Sequence, residues 1–351
     1  MTMRERMLAV VNGDPHDRVP FVQYSNNGAP DREAWDLLGR DSMGISVWQY
    51  VHRWEFPNCH FETEETTFDG RRGLRRTLRT PGGSLTEERL IQPTYGVEGF
   101  RTHLVKEPAD YRVLLAFFKD AVLFDCYDDI NRVIAELGDD GIPHACVDRT
   151  PYQQLWIQWV SLLDLALHLV DSPDILEELI AVMAENQRKS FRLVPKANIP
   201  YVVIPDNITA PAIGEKYFRK YCLPLYQELV GLCAEVGMPV FAHLDGDLKP
   251  LWPAIGESGL RGIDSLSPPP DNDTSPAQAN AMWPEMSLLL NFPSSVHLRT
   301  PDAIYQRAME ILEEAGHTRR LQIQISENVP PGVWRTSYPQ IAKAIRDFGR
   351  P

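Results

Sequence analysis

Short runs that are apolar on both faces alternate, along the 351-residue chain, with longer stretches whose apolar positions recur every three or four residues. Eight runs read as buried strands: Val19–Tyr24, Ile45–Val51, Pro143–Val147, Tyr201–Ile204, Pro239–His243, Gly262–Leu266, Ser287–Asn291 and Leu321–Ile325. Parallel strands covered by helices have this character, because neither of their faces meets water. Helical stretches lie between them. Ser172-Pro173 opens one, as N-cap and first helical residue, with Leu176, Leu179, Ile180 and Met183 on one face. The spacing of Phe218, Cys222, Leu225, Leu229 and Leu232 predicts a single helix over 217–236, stopped by Gly237. Thr300-Pro301 opens a third that runs to Gly316. Strands and helices in this alternation predict an α/β fold, one (β/α)8 TIM barrel spanning residues 1–351. The rhythm breaks at 71–100, where alternating residues flank Thr80-Pro81-Gly82-Gly83 and predict an inserted, exposed β-hairpin.

Charge narrows the function classes. Acidic residues outnumber basic ones 48 to 35, for a net charge of −13. Nucleic acids and anionic membranes both require a positive surface, so neither is an expected partner. No apolar run approaches the roughly 18–20 residues of a bilayer span. The opening Arg4-Glu5-Arg6 is unlike a secretory signal. The five cysteines are odd in number and lack CxxC spacing, which argues against a disulfide framework. A cytoplasmic protein is the expectation.

A barrel gathers its chemistry at the C-terminal ends of its strands. Polar residues stand at those ends: Asn26 and Asn27, Asp148 and Arg149, Asp206 and Asn207, His243 and Asp245, Asn291, and Glu327. His243 and Asp245 point the same way in extended chain, because strand side chains repeat every second residue. An imidazole beside a carboxylate suits a divalent metal, with Glu327 as the natural third ligand. The other reading is a His–Asp hydrogen bond that orients the imidazole. Gly246 allows a sharp turn after the pair. Asp206-Asn207 either presents an acid at a strand end or caps the next helix. Asp148-Arg149 is either catalytic or a rim salt bridge. Trp156 and Trp159 form an aromatic wall or simply core, and Tyr24 lines the mouth or packs within it. His144, His168, His297 and His317 have no carboxylate at ligand spacing and read as surface or core histidines.

Several segments, in order and spacing, resemble one family. They are Met3–Asn12 with Asp17-Arg18-Val19-Pro20, the Thr80–Thr86 turn, Glu107–Tyr111, Asp171-Ser172-Pro173, Phe218–Pro224 and Gly237–Asp247. Together they are similar to the uroporphyrinogen decarboxylase superfamily, and within it to the corrinoid-dependent (methylcobamide) methyltransferase branch. That resemblance implies the same (β/α)8 barrel. It also implies a zinc site built from a His-x-Cys pair and a later Cys. Here the histidine is His243, while Asp245 and Glu327 stand where the thiolates are expected. Carboxylates keep zinc as the foremost metal but make manganese or iron competitive. The decarboxylase branch clamps its polycarboxylate substrate with an arginine-rich stretch after the first strand. This chain has Tyr24-Ser25-Asn26-Asn27-Gly28-Ala29-Pro30 there, so porphyrinogen decarboxylation is not expected.

What the resemblance implies is a metal-dependent methyltransferase. It would move a methyl group between a small, O-methylated substrate and a corrinoid supplied by a partner protein. His243, Asp245 and Glu327 would hold the metal, Asp206 or Asp148 would handle a proton, and Asn207 and Asn291 would orient the substrate beside Tyr24 and Trp156. Two alternatives stay open: a metal-free decarboxylase or lyase using His243–Asp245 as an acid–base pair, and a non-catalytic small-molecule-binding barrel.

Overall fold

The computed structural model describes residues 1–94 and 96–351. The chain forms two compact units, one from Met1–Val51, Cys126–Val147 and Val194–Pro351, the other from His52–Asp125 and Asp148–Leu193.

The first unit holds a closed parallel barrel. Its strands are β1 (Phe21–Tyr24), β2 (Gly44–Tyr50), β3 (Gly141–Cys146), β4 (Val202–Ile204), β5 (Val240–His243), β6 (Gly262–Leu266), β7 (Ser287–Asn291) and β8 (Leu321–Ile325). They follow one another around the barrel in chain order, and β1 pairs with both β2 and β8 to close it. These are the eight runs marked by apolar patterning, with boundaries moved by no more than two residues. Helix Met3–Asn12 is fixed by a capping box between Thr2 and Glu5. Its Met3, Met7, Val10 and Val11 pack with Val22, Ile142 and Phe241. Ser287, the first residue of β7, donates to the Val10 carbonyl, so this helix lies at the N-terminal end of the strands. The opposite rim is left for chemistry.

The second unit carries helices Tyr111–Lys119, Leu162–Asp171 and Pro173–Phe191 and two antiparallel sheets. Strand His52–Glu55 pairs with Val122–Asp125. Strands His60–Phe68, Arg71–Thr80, Gly83–Ile91 and Glu98–Thr102 form a four-stranded sheet. Sequence patterning marks a single hairpin in this region, and the sheet is larger. Strand His60–Phe68 escapes notice because Glu62, Thr63, Glu64 and Glu65 are exposed on both faces, leaving no apolar alternation to read.

The helix expected over 217–236 is interrupted. It runs as Ala210–Tyr217, a π-helical turn Phe218–Cys222, and Leu223–Ala234. Pro224 has no N–H to offer, and the widened turn sits directly ahead of it. A similar π turn, Leu155–Trp159, carries Trp156 and Trp159. All five cysteines are buried, and the described residues contain no disulfide. No helix among them is long and apolar enough to cross a membrane.

Candidate metal centre

The centre is built outward from a buried carboxylate. Asp264, in the middle of β6, is fully buried and lies opposite His243 in the β5–β6 register. Its Oδ2 accepts from His243 Nδ1 at 2.8 Å and from the Tyr24 hydroxyl at 2.6 Å. Its Oδ1 accepts from Gln324 Nε2 at 2.9 Å. Burial alone would raise its pKa, but His144, His243 and the Tyr24 hydroxyl outweigh that and hold it below the ordinary carboxylate range. Ser265, the next residue, has φ 59°, and the β6–β7 register shifts there. A non-glycine residue in that region is costly and marks a backbone held by its surroundings. Here the Ser265 hydroxyl donates to Ser326 Oγ, tying β6 to the segment that carries Glu327.

With Nδ1 engaged, His243 turns Nε2 toward two more acids. Asp245 Oδ2 lies 3.5 Å away and Glu327 Oε1 3.7 Å away. Both separations exceed an ordinary N–H···O hydrogen bond, and buried Nε2 has no hydrogen-bond partner. One ligand atom from each of the three side chains falls within 4.8 Å of the others. Ligands of a tetrahedral ion at about 2.1 Å from it stand roughly 3.4 Å apart. The spacing thus suits three groups sharing one cation. Burial opposes a charge on His243, yet Asp245, Asp264 and Glu327 overcome it and raise its pKa well above the ordinary histidine value. The same negative charge would attract a divalent ion, which at Nε2 would have to displace that proton. Burial falls off from His243 through Asp245 to Glu327, at 6%, 21% and 36% side-chain exposure, so the ligand set opens to solvent on its Glu327 side.

Neighbouring groups position the acids. Asn207, with φ 51°, donates through Nδ2 to Asp245 Oδ2 at 2.8 Å. Asn291, at the end of β7, accepts from the Ser326 backbone N–H at 3.1 Å. Asn27 donates to the Glu327 carbonyl at 3.1 Å. Gly246 serves close approach, since a Cβ there would meet Thr209 Cβ at 2.3 Å and the Ile208 carbonyl oxygen at 2.8 Å. Asn291 and Tyr24, both expected beside the substrate, are thus hydrogen-bonded to the Ser326 backbone and to Asp264. Asp206 is fully buried and accepts from the Tyr226 hydroxyl at 2.7 Å. Asp148 and Trp156 belong to the second unit: Asp148 Oδ2 accepts from His52 Nε2 and Trp54 Nε1, and Trp156 Nε1 donates to Gln153.

Sequence reasoning passes over Asp264 and Gln324 and reads His144 only as a surface or core histidine. An acid inside the apolar run Gly262–Leu266 is the available signal for Asp264. His144 is buried as expected of a core histidine, but its Nε2 lies 3.5 Å from Asp264 Oδ2 and 3.3 Å from the Tyr24 hydroxyl. Burial pushes its pKa down to about 4, so it faces the carboxylate uncharged at neutral pH.

A family model for uroporphyrinogen decarboxylase (URO-D) matches residues 163–347, just over half of the chain and inclusive of His243, Asp245, Asp264 and Glu327. The chain belongs to the uroporphyrinogen decarboxylase family. Among solved structures, this URO-D chain is similar to a methyltransferase from Methanosarcina mazei, at 14% identity and TM-score 0.57 over 99% of each chain. It is also similar to a B12-independent methionine synthase from Shewanella sp. W3-18-1, at 9% identity and TM-score 0.48 over 90% of this chain and 86% of that one. A search of curated proteins finds no match. At 14% identity the likeness to the Methanosarcina mazei structure shows a shared fold alone.

Proposed function

We propose that this URO-D family member is a metal-dependent methyltransferase acting on a small O-methylated compound, with a corrinoid on a partner protein as the other methyl carrier. One observation carries the reading: His243 Nε2, Asp245 Oδ2 and Glu327 Oε1 converge without hydrogen-bonding one another, behind a carboxylate that fixes the imidazole. That layering of carboxylate, histidine and cation is the usual construction of a metal site. Supporting it are the matches of sequence order to the methyltransferase branch and the position of His243 at the histidine of that branch's His-x-Cys pair.

His243, Asp245 and Glu327 would hold a divalent ion, which would supply Lewis acidity toward the oxygen of a methyl ether. The chain's own residues do the rest. Asp264 holds His243 in the tautomer that leaves Nε2 free to ligate. Asn207 keeps the Asp245 carboxylate in place, and Asn291 holds the Ser326 backbone from which Glu327 reaches the site. With one histidine and two carboxylates the ligand set is harder than one with two thiolates, which favours an oxygen-centred substrate over a thiol.

The test is methyl transfer from a panel of small methyl ethers to added cob(I)alamin, followed by the corrinoid's absorbance. Transfer that is abolished by chelation, restored by zinc or manganese and absent in His243→Ala supports the proposal. Turnover of a carboxylated substrate that survives chelation yet needs His243 would replace it with acid–base decarboxylation.

A further inference from the structure

The second unit contains a cavity of about 180 Å³ that shares no residue with the metal centre. Its walls are aromatic: Trp54, Phe56, Phe117, Phe118 and Trp159. Phe56 and Phe117 stack with ring centroids 3.9 Å apart and planes 12° from parallel. Trp159 stands 5.5 Å from Phe117 and 5.6 Å from Phe118. An apolar cavity of roughly 150 Å³ is enough to take up benzene, so this one accommodates a single substituted ring.

Of the residues that line it, Gln187 and Trp159 each carry a buried polar atom with no hydrogen-bond partner. Gln187 donates through Nε2 to the Asp148 backbone carbonyl at 2.8 Å, which fixes the amide and leaves Oε1 as the unmet acceptor. Trp159 Nε1 is an unmet donor. Gln187 is 2% exposed, so bulk water does not serve it. Leaving a buried polar atom unmet costs about 1–3 kcal/mol, and a ligand that satisfies it recovers that cost on binding. The Asp148 carboxylate at the same end is already held by His52 and Trp54, so it contributes shape and polarity more than a vacant charge.

We propose that the second unit binds a small phenol: one aromatic ring stacked among these side chains, its hydroxyl donating to Gln187 Oε1 and its oxygen accepting from Trp159 Nε1. The site stands on this unit alone and is independent of whether the barrel binds a metal.

Calorimetric titration of the full chain with resorcinol, and with toluene as the apolar control, tests it. Resorcinol should bind saturably and at least about tenfold more tightly than toluene, the factor expected for one buried hydrogen bond. Gln187→Leu should remove about that tenfold advantage. Ala121→Phe, which fills the cavity from a partly exposed position, should abolish binding while leaving the thermal midpoint and metal content unchanged. Should Gln187→Leu fail to fold, Ala121→Phe decides alone. No saturable binding of resorcinol, binding unaffected by Ala121→Phe, or equal affinities for resorcinol and toluene would each overturn the assignment.

Discussion

Asp264 and His243, paired across neighbouring strands, join through a 2.8 Å hydrogen bond from Nδ1 to Oδ2 that leaves the other imidazole nitrogen facing Asp245 and Glu327. The tautomer of His243 is thereby set by a carboxylate with no exposure to solvent. The rim acids then surround a nitrogen that has a lone pair to give once its proton leaves.

Asp264→Asn tests that relationship. The variant keeps the shape but loses the charge that fixes the ring, so metal affinity should fall about 10–100-fold. Competition with a chromogenic chelator measures it. Unchanged affinity would mean that Asp264 only fills space.

Ligand hardness should be exchangeable. Asp245→Cys combined with Glu327→Cys puts two soft thiolates beside His243 and should shift selectivity toward zinc or cadmium and away from manganese. Paired zinc and manganese titrations on both proteins give the ratio directly. A ratio that stays constant would show that these two side chains do not ligate.

Barrel closure leaves no room at Gly141. A Cβ there would stand 1.8 Å from the Ile45 carbonyl oxygen, a backbone atom of the paired strand β2 that has no rotamer to escape by. Gly141→Ala should destabilise the protein at or above the upper end of the usual 1–3 kcal/mol for overpacking. A denaturant midpoint near that of the wild type would show that β2 and β3 separate more easily than their register suggests.

Acid should weaken the barrel through His297. Burial pushes its pKa down to about 4 from an ordinary 6.5, and only Asp271 offers a modest opposing pull. Between those values the unfolded chain binds a proton that the folded one refuses. Stability from this residue is therefore full above pH 6.5 and is lost as pH falls toward 4, by at most about 3 kcal/mol. Denaturation of wild type and His297→Gln at pH 7.5, 6 and about 5 should show the shallower pH slope in the variant. Parallel slopes would remove His297 from the account.

Much of this architecture is legible in the chain. Each barrel strand is a short apolar run, and that signal survives because buried parallel strands have no polar face to confuse it. His243 and Asp245 are readable as a pair because two-residue spacing puts them on one side of extended chain. Glu327 comes from resemblance and from its place after the last strand. Asp264 is harder to find. Its importance lies in register against β5, which no local pattern encodes, so one acid inside Gly262–Leu266 looks like ordinary variation. The four-stranded sheet is hidden for the opposite reason: its first strand is charged on both faces and mimics a loop. The π turns before Pro224 and at Trp156 depend on backbone hydrogen bonding that side-chain periodicity does not report.

The central claim is one cation shared by His243, Asp245 and Glu327. Anomalous diffraction from crystals of protein purified without chelator, collected on both sides of the zinc and manganese edges, addresses it directly. The account predicts one strong peak about 2.0–2.2 Å from His243 Nε2, touching both carboxylates and absent in His243→Ala crystals. A metal-replete crystal with no peak there, or with its only peak bound by other residues, would contradict it.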